Sequence, residues 1–294
     1  MSRFILPKWV QQHNQEYHKL ENVPEERIAS IRQKLSRFNI EDPEVSIVIP
    51  AYNEEKDLLK ALSSLAELRT KYKTELIVAN NNSKDKTQEI IDRCGIKSVF
   101  AENQGISYAR QAGLEAAKGK YILNADSDSI YPETWGDLFI EALKNPAVSC
   151  VYGTYSFIPS PENTRLQLGL YELIAESFFA IKRKNRECVN VMGFNFAFRK
   201  EDGLKVGGYN HHLNRKVTKR SEDGWMAYCL MEVGKLQFIP SNETRVWTSD
   251  RRLMEDGSLS KAFTNRAKKE LKRISIYFNP KKAVKPGNTD EVAA

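Results

Sequence analysis

Val45-Ser-Ile-Val-Ile-Pro50 constrains the fold more than any other stretch of the 294-residue chain. A nearly continuous apolar strand bounded by a proline implies burial on both faces, as in a parallel sheet. The polar loop Ala51-Tyr-Asn-Glu-Glu55 follows, then a helical pattern in which Leu58, Leu62, Leu65 and Ala66 share a face. The cycle then repeats. Glu75-Leu-Ile-Val-Ala79 reads as a second strand, Asn80-Asn-Asn-Ser-Lys-Asp85 as its polar loop, 85–93 as a helix and Ile96–Phe100 as a short strand. Asn103-Gln-Gly105 opens a helix that packs through Ala109, Ala112, Leu114, Ala116 and Ala117 and ends at Gly119, before the strand Tyr121-Ile-Leu123. Strand–helix alternation with short loops predicts an α/β fold on a parallel sheet. Ligands bind such sheets beyond the carboxyl ends of the strands, where Tyr52–Glu54, Asn80–Asp85 and Asp126–Asp128 all fall.

The third of these loops, Asp126-Ser127-Asp128, carries the plainest chemistry. In an extended backbone residues i and i+2 face the same way, so the two carboxylates project together. Like charges that close repel unless a cation sits between them. Oxygen ligands of this kind suit Mg²⁺ or Mn²⁺, which complete their shells with water and phosphate oxygens. The alternative is that these residues cap a helix beginning after Pro132. Neither a G-x-x-x-x-G-K-[ST] loop nor a G-x-G-x-x-G after the first strand is present, so phosphates would need a metal rather than a glycine cradle.

Beyond Pro132 the pattern predicts a helix over 133–144, an apolar strand near Val148–Tyr155, the turn Ile158-Pro-Ser-Pro161 and an amphipathic helix from Thr164 to Lys182. Phe178 and Phe179 of that helix are expected in the core. Glu222-Asp-Gly-Trp225 opens another helix, Gln237–Pro240 is a strand, and Thr248-Ser-Asp-Arg-Arg252 is a loop in which Arg251 and Arg252 could clamp a diphosphate. Pro24–Phe38 forms an accessory helix with Ile28, Ile31, Leu35 and Phe38 on one stripe. The organisation expected is thus a helical extension over 1–43, a main domain over 44–257 divided at residue 132 into nucleotide-binding and acceptor halves, and a basic helix and tail over 258–294.

The charge is unevenly placed. Nine of the 45 basic and three of the 38 acidic residues lie from Lys261 onward, so that segment carries most of the net charge of +7. A nearly neutral body excludes nucleic acid as the partner. The basic helix after Ser258 fits either contact with an anionic membrane surface or packing on the body with a solvated basic face, and the stretch after Pro280 is expected to be disordered. No apolar run approaches the ~18 residues that span a bilayer, and no signal-peptide pattern opens the chain, which points to a cytoplasmic protein. Cys94, Cys150, Cys188 and Cys229 have no paired spacing and are expected as reduced thiols.

Taken in order, Val45–Glu54, Glu75–Thr87, Asn103-Gln-Gly105 with Ala109-Arg110, and Asp126-Ser-Asp128 resemble the family 2 glycosyltransferases over about residues 45–255. The resemblance implies a GT-A fold: a Rossmann-like, mostly parallel central sheet flanked by helices, with a mixed acceptor-side half. It further implies inverting, metal-dependent transfer of one sugar from a nucleotide-diphosphate sugar, a UDP-sugar or a GDP-sugar, to a glycan or lipid-linked acceptor. On that resemblance Pro50, Ala51, Tyr52 and Glu54 line the nucleotide pocket, and Asn80 and Asn82 hold base and ribose. Arg110 supports the donor, Asp126, Ser127 and Asp128 engage diphosphate and metal, and Met192–Arg199 with Gly207-Gly-Tyr209 forms the floor between donor and acceptor. The family's catalytic base falls on Asp223, although an acid there would also complement a helix N-terminus. Two departures stand out: Asn80 replaces the family's usual aspartate, and no histidine lies near Thr248–Arg252. The Q-x-x-R-W signature of processive synthases is absent as well. A nucleotidyltransferase would be expected to carry a Gly-rich basic loop at 50–55, which is missing, and a non-catalytic sugar-binding relative is the remaining alternative.

Overall fold

The computed structural model describes residues 3–17, 19–213 and 221–278. Among the described residues ten strands form two sheets: β1 (Val45–Ala51), β2 (Thr74–Asn80), β3 (Lys97–Phe100), β4 (Tyr121–Asn124), β5 (Ser129–Ile130), β6 (Val148–Tyr152), β7 (Tyr155–Ile158), β8 (Phe196–Arg199), β9 (Lys235–Phe238) and β10 (Val246–Ser249). The main sheet has the order β3-β2-β1-β4-β8-β6-β9. Its first four strands are parallel, β8 runs antiparallel to both neighbours, and β6 and β9 are parallel. A smaller sheet, β5-β10-β7, stands beside it.

The central strands β1, β2 and β4 are buried on both sides, as the sequence of β1 demands. Ile47 and Ile49 belong to one apolar cluster and Val48 to another, and all three are at most 1% exposed. Pro50 lies inside β1 rather than at its boundary, pairing with Ala79 of β2. It is tolerated because the pairing with β4 stops at Val48, so its missing N–H removes no bond on that side. The helix Ile106–Ala116 lies against β1 through Gly113, where a Cβ would stand 2.2 Å from Val48 Cγ1. The N-terminal helix forms over Glu25–Leu35 with a 3₁₀ turn to Phe38, and its apolar stripe joins the main core.

Three local expectations are corrected. The strand at Val148–Tyr155 is two strands, β6 and β7, in different sheets. The break falls at Gly153, where a Cβ would come within 2.7 Å of both Asn195 Nδ2 and Thr244 O. Thr248–Arg252 is not a loop but the end of β10, paired with β7 and β5, followed by the short helix Arg251–Met254. Phe178 and Phe179 are half-buried and line a cavity instead of the core. The helix bearing them runs Arg165–Lys182 and starts on a capping box, with Thr164 and Gln167 each satisfying the other's backbone N–H. The basic helix forms over Leu259–Phe278, whereas the expected disorder after Pro280 lies outside the described residues. Among those residues no helix is long and apolar enough to cross a membrane.

Candidate active site

β2, β1 and β4 lie side by side and parallel, so the loops that leave their carboxyl ends meet at one edge. The first two loops are knitted together. Asn53 N–H donates to Ser83 Oγ (3.0 Å), Lys84 N–H to Asn53 Oδ1 (2.8 Å), and Glu54 N–H to Thr87 Oγ1 (2.8 Å). Asn53 and Asn82 adopt positive φ, which asparagine tolerates better than most residues. Tyr52 is 48% exposed, its ring left open to a ligand. Asn80 is buried and works inside its own loop: its Nδ2 donates to Gln88 Oε1 (2.7 Å), and its Oδ1 accepts from Ser83 N–H (3.1 Å). That leaves it one N–H and one lone pair for other partners. Neighbouring Asn81, not singled out from sequence, ties this loop to the next helix by donating to Ala101 O and Asn103 O and accepting from Gly105 N–H.

Asp126 and Asp128 stand at the end of β4 and are almost wholly buried, with side chains 9% exposed. Burial and the adjacent charge of Asp126 push the Asp128 carboxyl above the usual range. Three arginines offset this negative charge. Arg110 Nη2 donates to Asp126 Oδ1 at 2.6 Å, and Arg252 Nη2 lies 3.9 Å from Asp126 Oδ2. Arg251 Nη2 bridges Asp128 Oδ2 (3.2 Å) and Glu54 Oε1 (3.0 Å). Burial pushes Glu54 up to about 7 even against that arginine, and its Oε2 is buried with no hydrogen-bond partner among the described residues. Ser127 is buried between the two aspartates.

Arg110 links this acidic pair to the residue expected as base. It is 1% exposed, and its Nε lies 3.5 Å from Glu222 Oε1, one residue before Asp223. Burial disfavours its charge, but Asp126, Glu222 and Asp223 more than offset that and hold the guanidinium above its ordinary pKa. Asp223 opens the helix Glu222–Leu230, capped by Ser221. Its Oδ2 accepts from Gly193 N–H and its Oδ1 from Gly224 N–H, each at 2.7 Å. Two backbone bonds fix the carboxylate yet leave lone pairs on both oxygens. Glycine is required at 193 because a Cβ there would sit 2.5 Å from Arg110 Nη2. Asn124 and Tyr209 complete the floor: Tyr209 O–H donates to Asn124 Oδ1 (2.6 Å), which also faces Arg110 Nη1 (3.4 Å).

A chamber of about 540 Å³ opens from Asp126, Asp128 and Arg252 and runs between the helices Arg165–Lys182 and Leu259–Phe278. Its size is that of a small-molecule site; the sequence had pointed to its acidic end, to Arg252 and to Met192–Arg199, but not to the cavity between the two helices. Among the described residues no three His, Cys, Asp or Glu side chains come together as metal ligands. The fit for a divalent cation therefore rests on Asp126 and Asp128 alone. Paired, buried, hard oxygen donors suit Mg²⁺ or Mn²⁺ if a diphosphate and water complete the shell.

The sequence profile of Glycosyl transferase family 2 matches residues 46–204, more than half of the chain. The chain spans 19% of the length of the first curated relatives it matches. A longer match is to "Glycosyltransferase AglE" of Haloferax volcanii, 29% identical over 236 residues, covering 71% of this chain and 76% of the relative. By structure, the chain is similar to the mannosyltransferase PcManGT of Pyrobaculum calidifontis, solved with GDP-Man and Mn²⁺: TM-score 0.53, 16% identity, 86% of this chain and 77% of the other. It is similar also to the 1–349 portion of S. aureus TarS, solved with UDP-GlcNAc: TM-score 0.52, 17% identity, 70% and 58% of the two chains. At these identities the structural likeness speaks for the fold, a mostly parallel sheet with flanking helices, as in GT-A proteins.

Proposed function

Because this chain belongs to glycosyl transferase family 2, we propose that it moves one sugar from a nucleotide-diphosphate sugar to an acceptor hydroxyl with inversion at the anomeric carbon. The observation that carries the proposal is the buried relay Asp126–Arg110–Glu222, which sets a diphosphate-ready acidic pair beside the backbone-anchored Asp223. Tyr52 offers a face to the base, and Asn82 and the Asn80 loop border the ribose side. Relatives of this fold have been solved with GDP-Man and with UDP-GlcNAc, so both bases are candidates.

Asp126 and Asp128 would hold Mg²⁺ or Mn²⁺, and when bound such a cation stabilises the charge that the diphosphate gains on leaving. Arg251 and Arg252, already against these carboxylates, are within the same site to meet phosphate oxygens. Asp223 takes the proton of the acceptor hydroxyl as that oxygen attacks the anomeric carbon. The bond to the diphosphate oxygen breaks from the opposite face, and its electron pair leaves with the nucleotide. No enzymic carboxylate nucleophile is needed, in contrast to a retaining glycosidase. Assembly of cell-surface polysaccharide or glycolipid is the setting proposed for this transfer.

Thermal unfolding with UDP, GDP, CDP and TDP, each with Mn²⁺ or EDTA, tests the proposal. A ligand at about 100 times its dissociation constant stabilises by ~2.7 kcal/mol, a shift of roughly 4–5 °C for a chain of this size. A shift with one base that vanishes in EDTA supports the reading and names the donor. No shift with any nucleotide would leave a non-catalytic relative as the better description.

A further inference from the structure

Behind the small sheet β5-β10-β7 lies a second cavity, of about 280 Å³, that takes no part in the transfer proposed above. The sheet is the partition. Successive side chains of a strand face opposite ways, so Phe157 and Thr248 line the chamber while their chain neighbours Ser156 and Trp247 line this cavity. Its far wall comes from the N-terminal extension, through Arg3 and Trp9, and its exposed rim from Thr134, Asn242 and Glu243. That wall is seated closely on the helix Arg165–Lys182. Arg165 Nε donates to Arg3 O at 2.8 Å, and a Cβ on Gly169 would stand 2.7 Å from Phe4 Cδ1.

Two guanidinium groups meet here over one carboxylate. Arg3 Nη2 donates to Glu176 Oε2 at 2.7 Å, whereas Arg245 Nη1 stays 3.9 Å from Glu176 Oε1. The Arg245 bonds run from Nη1 to neutral acceptors, Tyr155 O (3.2 Å) and Ser156 Oγ (3.1 Å); among the described residues its Nε and Nη2 have no hydrogen-bond partner. Arg3 Nη1 is buried and has none there either. Glu172 is paired with Arg165 at 2.5 Å, and Glu243 stands exposed at the rim. Both arginine side chains are only 18–20% exposed, so water compensates the surplus positive charge poorly. Burial holds the Arg245 guanidinium below its ordinary pKa despite Glu176, and Arg3 deepens the effect. We propose that this cavity binds one acidic sugar residue, a pyranose carrying a carboxylate or a phosphate, and so anchors a glycan on the face away from the transfer site. Its volume falls just below the ~300–1,000 Å³ of drug-sized sites, which suits one ring rather than a nucleoside diphosphate. Guanidinium groups match carboxylate and phosphate oxygens. Trp9 and Trp247 offer indole surface to the C–H face of the ring, and Thr134, Ser156 and Asn242 supply partners for its hydroxyls. A hydrocarbon would leave these groups and the arginines unpaired, and a bare anion would leave the indoles uncovered.

The full chain is titrated calorimetrically with glucuronate, glucose 6-phosphate, glucose and inorganic phosphate, each with and without UDP or GDP and Mn²⁺. At least one acidic sugar is expected to bind roughly tenfold or more tightly than both glucose and inorganic phosphate, and the better of the two names the acid. Nucleotide should leave that affinity unchanged, since the ligands sit on opposite faces of the small sheet. Arg245→Gln should weaken binding roughly tenfold. Asn242→Trp, which fills the cavity from its exposed rim, should weaken it to a similar degree while the nucleotide response persists. Equal binding of glucose, equal binding of phosphate (an adventitious ion only), displacement by nucleotide, or unchanged affinity in both variants would overturn the assignment. The transferase reading fails separately, through loss of the nucleotide response with sugar binding intact.

Discussion

Asp223 shows how tightly one residue can be specified. Each of its oxygens accepts a backbone N–H, so Asp223→Asn keeps the shape but turns one acceptor into an amino group facing Gly193 or Gly224. We expect turnover to fall ~10²–10⁴-fold for loss of a general base. Nucleotide affinity should stay within about twofold, and stability should drop ~1–3 kcal/mol for the mismatched hydrogen bond. Assays of turnover, nucleotide titration and denaturant melts separate the three, and wild-type turnover would remove Asp223 from the base role. Glu54 supplies a pH signature. Its folded-state pKa of about 7 lies above the 4.5 of the free side chain, so the folded protein binds the extra proton between those values. Stability from this group is therefore full below about pH 4.5 and declines as pH rises through 7. Glu54→Gln should flatten that decline, with a gain relative to wild type of about 1–3 kcal/mol at pH 8 over pH 5. Parallel pH profiles of the melting temperature in the two proteins would refute the assignment. Asp126, Asp128, Arg110 and Asp223 were legible because motif order exposes them. Asn124 and Asn81 were not singled out: the partner that gives Asn124 its role, Tyr209, lies 85 positions away, so the pairing leaves no local pattern.

Among the elements, β1, β2 and β4 were plain in the sequence because burial on both faces leaves unbroken apolar runs. The helix Arg165–Lys182 was legible from its amphipathic pattern, and the Thr164–Gln167 box fixes its start in the structure. β6 and β7 merged into one expected strand, since a single glycine between apolar stretches does not reveal that the chain changes sheets there. β10 was missed altogether: Val246-Trp-Thr-Ser249 suits a strand, but four residues are too short to show a period, and pairing with β7 and β5 is what establishes it. The packing of Ile106–Ala116 on β1 yields an element-level expectation. Gly113→Ala gains up to ~1 kcal/mol in helix propensity, yet its Cβ would overlap Val48 with no flexible tip to yield. A net loss of ~1–3 kcal/mol should appear in the denaturant midpoint. Transfer should weaken as well, because Arg110 lies one turn earlier on the helix that must shift. An unchanged or raised midpoint would show that β1 accommodates the methyl group.

At the scale of the molecule, strands from both halves of the chain share one sheet, because β8 is inserted between β4 and β6. This architecture was legible as alternation in the first half and nearly silent in the second, where short strands of mixed direction give no period. The unliganded arrangement of charge around Asp126 and Asp128 has one further consequence. Arg251 and Arg252 already lie against these carboxylates, so a divalent cation arriving there must compete with them. Once displaced, the same guanidinium groups are available to a diphosphate. On the proposed chemistry cation and nucleotide are thus thermodynamically coupled: each lowers the other's dissociation constant, and by the same factor. Added salt would loosen the arginine contacts and shrink that factor, making the order in which the two bind a property of ionic strength.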